Sequence, residues 1–326
     1  MRILEVLTDC GHTATLQGLA EQFEIMDFWT STCENTGRCT TRLLVKPENQ
    51  QTILDAIQSI IGSSENSRII ITPVEATIPR PEESDNKSSN QTTRTREELY
   101  QTIIAGSLLD SNFIWMVILS TIVASIGLLA DSVAVVIGAM VIAPLLGPNI
   151  ALAFASSIGD TTLIWKSLKT NFVGVTIALL ISITIGYFWP LNFNSQELMS
   201  RTDVGYDGVI LALIAGAAAV LSIASSWSNS LVGVMVAVAL LPPTAAFGLM
   251  LGAQKFDLAI GAALLLAINV VSVNLSARLA FLFKGIKPRT WIERNKAKQS
   301  GVVSIVFWFL SLSLLIILMN IWHDLS

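Results

Sequence analysis

The sequence predicts an α-helical polytopic membrane protein: about seven spans, a 3+3 inverted repeat plus one, behind an N-terminal α+β ferredoxin-like soluble domain. Three observations predict it. Of 326 residues, 52% are apolar and 13% charged, with a mean hydropathy of +0.62, whereas about a quarter of a soluble domain is charged. Residues 1–98 are polar and charge-rich, but from Gln101 to His323 long apolar stretches follow one another with short polar gaps. Within that apolar region, residues recur at a fixed offset, with Ser132, Ala139, Pro144 and Asn171 matched 98 positions later by Ser230, Ala237, Pro242 and Asn269.

The soluble domain, residues 1–80, reads in order as a strand at Arg2–Thr8, a helix near Thr13–Glu24 and strands near Ile25–Thr32 and Cys39–Val45. A helix at Pro47–Ile61 and a strand at Arg68–Val74 complete it. That order, β-α-β-β-α-β, is the ferredoxin-like pattern. The first helix gathers Leu16, Leu19, Ala20 and Phe23 on one face, and the second gathers Ile53, Ile57, Ile60 and Ile61, so each is suited to cover a sheet. Ligand sensing and self-association both suit such a domain, and the fold alone does not choose.

The topology brings Cys10 and His12 towards Cys33 and Cys39 at one end of the sheet. Thiolate and imidazole are zinc ligands, and grouped thiols also make redox switches. The Cys-x-His and Cys-x5-Cys spacing is not that of a standard finger, so the expectation is no metal. A reducing cytosol would leave all three cysteines as thiols. No apolar leader follows Met1, so no signal peptide is expected and the amino terminus stays inside.

Residues 81–100 form a linker and the start of an interfacial helix. From Ile78 the sequence IPRPEESDNKSSNQTTRT has almost nothing to bury, which predicts a flexible tether. Thr95 and Glu98 then have capping-box spacing at the head of REELY.

The transmembrane domain, residues 101–326, holds apolar runs at 112–130, 132–155, 170–189, 208–226, 230–252, 258–283 and 302–322, each long enough for a span of about 20 residues. Lys166 and Lys169 follow the second run, and Lys284, Lys287, Arg289, Arg294, Lys296 and Lys298 follow the sixth. The loop after the third carries Glu197, Asp203 and Asp207 against Arg201. The positive-inside rule then puts the soluble domain in the cytoplasm and the carboxyl terminus outside a bacterial or archaeal cytoplasmic membrane.

The repeat pairs spans one to three (about 112–189) with spans four to six (about 208–283), leaving 302–322 as an extra span. An odd number of crossings per unit forces opposite orientations, the arrangement of many transporters. Pro144, Gly147 and Pro148 interrupt span two, and Pro242 and Pro243 interrupt span five at the matching depth. Proline removes a donor and clashes with the preceding turn, so two discontinuous helices are expected.

Neutral polar residues supply the candidate solute or ion site: Asn149 and Thr244 beside the prolines, then Asn171 and Asn269. Ser272 and Asn274 fit interhelical hydrogen bonding equally well. Arg278, near the cytoplasmic end of span six, is expected to snorkel. Asp131 and Asp160 fit solvated caps at span ends, and the polar run Ser225–Ser230 fits an inner loop or an entrance lining. Gly138, Ala139, Gly216, Ala217 and Ala218 permit close helix packing within or between copies.

The segments REELY at Arg96, IGLLADSVAVVIGAMVIAPLLGPNIALA from Ile126 and VAVALLPPTAAFG from Val236 resemble the bacterial and archaeal hydrophobic-domain family called domain of unknown function 389. The resemblance covers essentially the whole chain and implies a soluble domain ahead of the spans. It supplies no substrate and no catalytic residues.

Transport or conduction of a small solute or ion is the preferred function, with the soluble domain regulating or oligomerising; a membrane receptor or assembly scaffold is the alternative. No span holds an HExxH run, a GxSxG elbow or paired carboxylates, so no enzyme and no cofactor are expected. The expected partners are the bilayer, a small solute or ion and further copies of the chain, and not nucleic acid.

Overall fold

The computed structural model describes residues 1–33, 38–46, 49–62, 66–74, 77, 95–189, 194–224, 229–285 and 291–325. The tether from residue 81 to 94 and the serines at 225, 226 and 228 lie outside the described residues. The chain divides into two compact units, Met1–Arg96 and Glu97–Ser326.

In the first unit β1 (Arg2–Asp9) leads through a single 3-10 turn at Cys10–His12 into α1 (Thr13–Gln22). Strands β2 (Asp27–Cys33) and β3 (Arg38–Val45), helix α2 (Gln50–Ile61) and strand β4 (Arg68–Pro73) follow. The strands make one antiparallel sheet in the order β2-β3-β1-β4. Alternation decides which face is covered: Leu4 and Val6 of β1 and Leu43 and Val45 of β3 are buried, while Glu5 and Arg42 pair at 3.0 Å on the other face. Leu16 and Leu19 of α1 and Ile53, Leu54 and Ile57 of α2 close this core, each fully buried aliphatic contributing about 1.5–3 kcal/mol.

The cysteine expectation is overturned here. The β1–β3 register sets Thr8 opposite Cys39, so the chain turning off the end of β1 carries Cys10 over Cys39. The two are joined by a disulfide, with Cα atoms 4.9 Å apart. Cys10, His12, Cys33 and Cys39 therefore do not offer four free ligands, and the three cysteines are not all thiols.

The second unit begins one residue into α3 (Arg96–Ala105), which precedes α4 (Ser111–Leu129), α5 (Val133–Ile142), α6 (Leu146–Ile158) and α7 (Thr161–Phe188). The short α8 (Gln196–Met199), then α9 (Tyr206–Ala224), α10 (Asn229–Gly252), α11 (Phe256–Phe283) and α12 (Trp291–Leu325) complete it. Among the described residues, α4, α7, α9, α11 and Ser304–His323 of α12 are each long and apolar enough to cross a membrane. The bent pair α5–α6 raises the number to six. Their outer faces carry exposed Trp115, Leu119, Phe172, Leu180, Leu211 and Leu310, a surface that lipid rather than water solvates. Helix α7 starts at Thr161, earlier than its apolar run, because Asp160 accepts from the Leu163 N–H at 3.0 Å. That places Lys166 and Lys169 on its first turns.

Only one of the two expected discontinuities forms. Helices α5 and α6 meet at 51° across Ala143, Pro144 and Leu145; Ala143 is extended at φ −66°, ψ 122°, as a residue preceding proline prefers. Pro144 and Pro148, four apart with Gly147 between, remove bonds from two successive turns, and Pro148 then sits in the first turn of α6, where an N–H has no intrahelical acceptor. Pro242 and Pro243 instead lie inside a continuous α10. Being adjacent, they weaken a single turn. Both are buried, in a helix that packs on α7, α9, α11, α4 and α5, so the loosened turn is enclosed by protein and not exposed to lipid.

Candidate functional site: a buried amide cluster at the helix break

The break in α5–α6 positions Asn149. With α6 beginning at Leu146, Asn149 falls one turn inside the helix and is 1% exposed. Its Nδ2 donates to the Leu145 carbonyl at 2.9 Å, which lies in the break itself, and to Asn171 Oδ1 at 3.3 Å. Its Oδ1 accepts from Asn171 Nδ2 at 2.9 Å and from Asn274 Nδ2 at 3.0 Å. A single side chain thus ties α6 to α7 and α11, with both of its polar atoms fully used.

Close backbone approach allows this. Gly147 faces Gly106, whose carbonyl carbon would lie 2.6 Å from a Cβ at residue 147, so any larger residue would push the head of α6 away. Gly174 of α7 is similarly closed in by Leu145 and Phe113, each 3.0 Å from its Cβ position.

Among the sequence-predicted residues, Pro144, Gly147, Pro148, Asn149 and Asn171 come together at the break. Thr244 does not join them by hydrogen bonding: its Oγ1 donates back to the Leu240 carbonyl at 2.7 Å within α10. Pro242 and Pro243 precede it on the same unbroken helix. Asn269 is buried and has a partner, but it lies five residues from Asn274, on a different face of α11.

Asn274, for which the sequence favoured interhelical hydrogen bonding and a lining role equally, is the third member of the cluster. It is fully buried, donates to Asn149 and to the Val270 carbonyl at 2.8 Å, and keeps an Oδ1 with no partner. One turn further along, Arg278 corrects the snorkelling expectation, being 1% exposed. Snorkelling needs a face open to the interface, and α11 is enclosed by α6, α9, α10 and α12. Beyond Arg278, Phe281 stacks edge-on with Phe154 of α6 at 5.3 Å, and Phe154 meets the Tyr100 ring at 6.2 Å. The Tyr100 hydroxyl donates to Asp160 Oδ2 at 2.9 Å. Burial first, then the hydrogen bond to Asp160 and its negative charge, push the Tyr100 phenol above its ordinary value.

Of the two carboxylates expected at span ends, Asp160 caps its helix, whereas Asp131 does not cap α5, which Ser132 precedes without a side-chain cap. Asp110 and Asp160 cap α4 and α7. Asp131 accepts from Ser195 Oγ at 3.2 Å and from the Glu197 N–H at 2.8 Å.

Residues 140–275, which contain the whole amide cluster, match a domain of unknown function, DUF389. An uncharacterized protein of Methanocaldococcus jannaschii is similar to the chain, 35% identical over 295 residues that cover 90% of this chain and 91% of the relative. No solved structure matches. The similarity runs through the soluble unit as well as the helices, and the chain belongs to the domain of unknown function 389 family of membrane proteins.

Proposed function

We propose that the chain is a transporter or channel for a small solute or ion, whose path passes the α5–α6 break. The observation that carries this reading is the convergence of three amides, the buried Asn149 and Asn274 and the half-buried Asn171, on a discontinuity within an apolar helix unit. Non-helical backbone inside a membrane is where transporters place their sites. In this reading there are seven spans: α4, α5–α6 and α7 form one three-span unit, α9, α10 and α11 its inverted partner, and α12 an addition. A ferredoxin-like regulatory or oligomerisation domain lies in the cytoplasm and the carboxyl terminus outside, with no enzymatic chemistry. Further copies would pack on faces such as that of Gly138, which has no atom within 4 Å of its Cβ position.

The test is flux across vesicles reconstituted with the full chain, over a panel of small solutes and ions. Asn149→Leu, close in volume but unable to hydrogen-bond, is expected to lower flux by about tenfold, the effect of losing roughly 1.4 kcal/mol at the site. Unchanged flux in a folded variant removes Asn149 from the path. A receptor or scaffold is favoured by two observations, the continuity of α10 and the complete internal bonding of Asn149. Absence of flux for every solute in the wild type would select it.

A further inference from the structure

Arg278 is the single charged side chain in the buried set of the helical unit among the described residues. Its Nε and Nη1 have no hydrogen-bond partner, and it forms no ion pair among those residues. An ionised group is among the most expensive to bury, and buried charges are ordinarily paired. One turn earlier on the same face of α11, Asn274 leaves its Oδ1 unpartnered while its amide nitrogen is fully engaged with Asn149 and Val270. The two vacancies are complementary in kind: cationic N–H donors on one residue and a neutral acceptor on the other.

We propose that Arg278 and Asn274 form a binding site for a small oxyanion that carries an O–H donor of its own, such as hydrogencarbonate or a protonated phosphate. The anionic oxygens take the Arg278 N–H groups, and the ligand's O–H donates to Asn274 Oδ1. A bare halide supplies no proton for that acceptor, and a lipid phosphodiester has no O–H on its phosphate and would meet the protein on its lipid face, where Arg278 is not. The site adjoins the amide cluster through Asn274, so it names the charge of the cargo. Only that last step rests on the transport reading. Binding is measured without flux, so a protein that binds and does not transport is told apart from one that transports and does not bind here.

The experiment is thermal unfolding of the full chain in a neutral detergent, followed by tryptophan fluorescence. Sodium phosphate and sodium hydrogencarbonate are titrated against sulfate and nitrate at pH 7 and matched ionic strength. Phosphate or hydrogencarbonate is expected to raise the midpoint saturably by about 5 °C, with sulfate and nitrate giving less than half of that shift. Arg278→Gln is expected to unfold no earlier than the wild type without anion, because an unpaired charge has been removed, and to lose the response. A wild type that responds to none of the four anions overturns the site, and so does a response that survives in Arg278→Gln. Sulfate equal to phosphate overturns the role of Asn274. A shift produced only by added phosphatidylglycerol assigns the position to lipid instead. Should Arg278→Gln not fold, Arg278→Lys decides: the loss of the planar fork should raise the half-saturating concentration about tenfold, and an unchanged value overturns the assignment.

Discussion

Tyr100 holds two pieces of the helical unit through one hydroxyl. It donates to Asp160 Oδ2, while Asp160 Oδ1 caps α7 through the Leu163 N–H, so the same carboxylate fixes the start of α7 and the position of α3. Because the phenol is held above its usual value, the folded chain keeps that proton more tightly than the unfolded chain does. The resulting stabilisation is complete below pH 10, the unfolded value, and is lost as pH rises through the higher folded value. Tyr100→Phe is therefore expected to cost about 1 kcal/mol near pH 7, one hydrogen bond to a charged group at a partly open site. The difference in unfolding midpoint between wild type and variant should close as pH is taken above 10. A constant difference across that range would mean that the hydroxyl's bond to Asp160 is not what the substitution removes.

At the scale of elements, the α7–α10 crossing is set by backbone contact. A Cβ at Gly186 would lie 2.8 Å from the Leu249 Cα and 2.9 Å from its carbonyl carbon, and one at Gly252 would lie 2.8 Å from the Tyr187 nitrogen. Backbone does not yield as a flexible side chain does, so Gly186→Ala is expected to lower stability by about 3 kcal/mol. Gly138→Ala, on the open face of α5, is expected to be neutral or to stabilise by about 0.5–1 kcal/mol through helix propensity alone. Unfolding midpoints of the two variants in one detergent check both. The elements themselves were legible because their signals are local: alternation marks β1 and β3, apolar length marks α4, α7, α9 and α11, and Asp160 marks the start of α7. What was not legible depends on several segments at once. Adjacent Pro242 and Pro243 read locally as a break just as Pro144 and Pro148 do, but they weaken one turn rather than two, and their helix is enclosed on several sides and stays whole. Cys10 meets Cys39 only through the β1–β3 register. Asn274 and Arg278 could be placed on a common face from their spacing, yet their burial follows from where α6 and α12 pack on α11.

At the scale of the molecule, the orientation of α10 decides the architecture. Its 24 residues reach about 36 Å at 1.5 Å per residue, enough for a hydrocarbon core of about 30 Å. If it crosses, three crossings, α9, α10 and α11, separate Ser200 from Lys284, and these two exposed positions face opposite compartments. The charges agree with that outcome: Glu197 is paired with Arg201 at 3.4 Å near Ser200, and Asp203 and Asp207 follow, whereas Lys284 opens a run of basic residues. With Cys10, Cys33 and Cys39 replaced by serine, a single cysteine at Ser200→Cys should react with an impermeant thiol reagent in intact cells. One at Lys284→Cys should react only after permeabilisation. Labelling of both from the same side would mean that α10 enters and leaves through one face. The pairing of α4–α7 with α9–α11 as inverted units would then fail with it, because α9 and α11 would be the second unit's only crossings and α11 would run in the same direction as α7 rather than the opposite one.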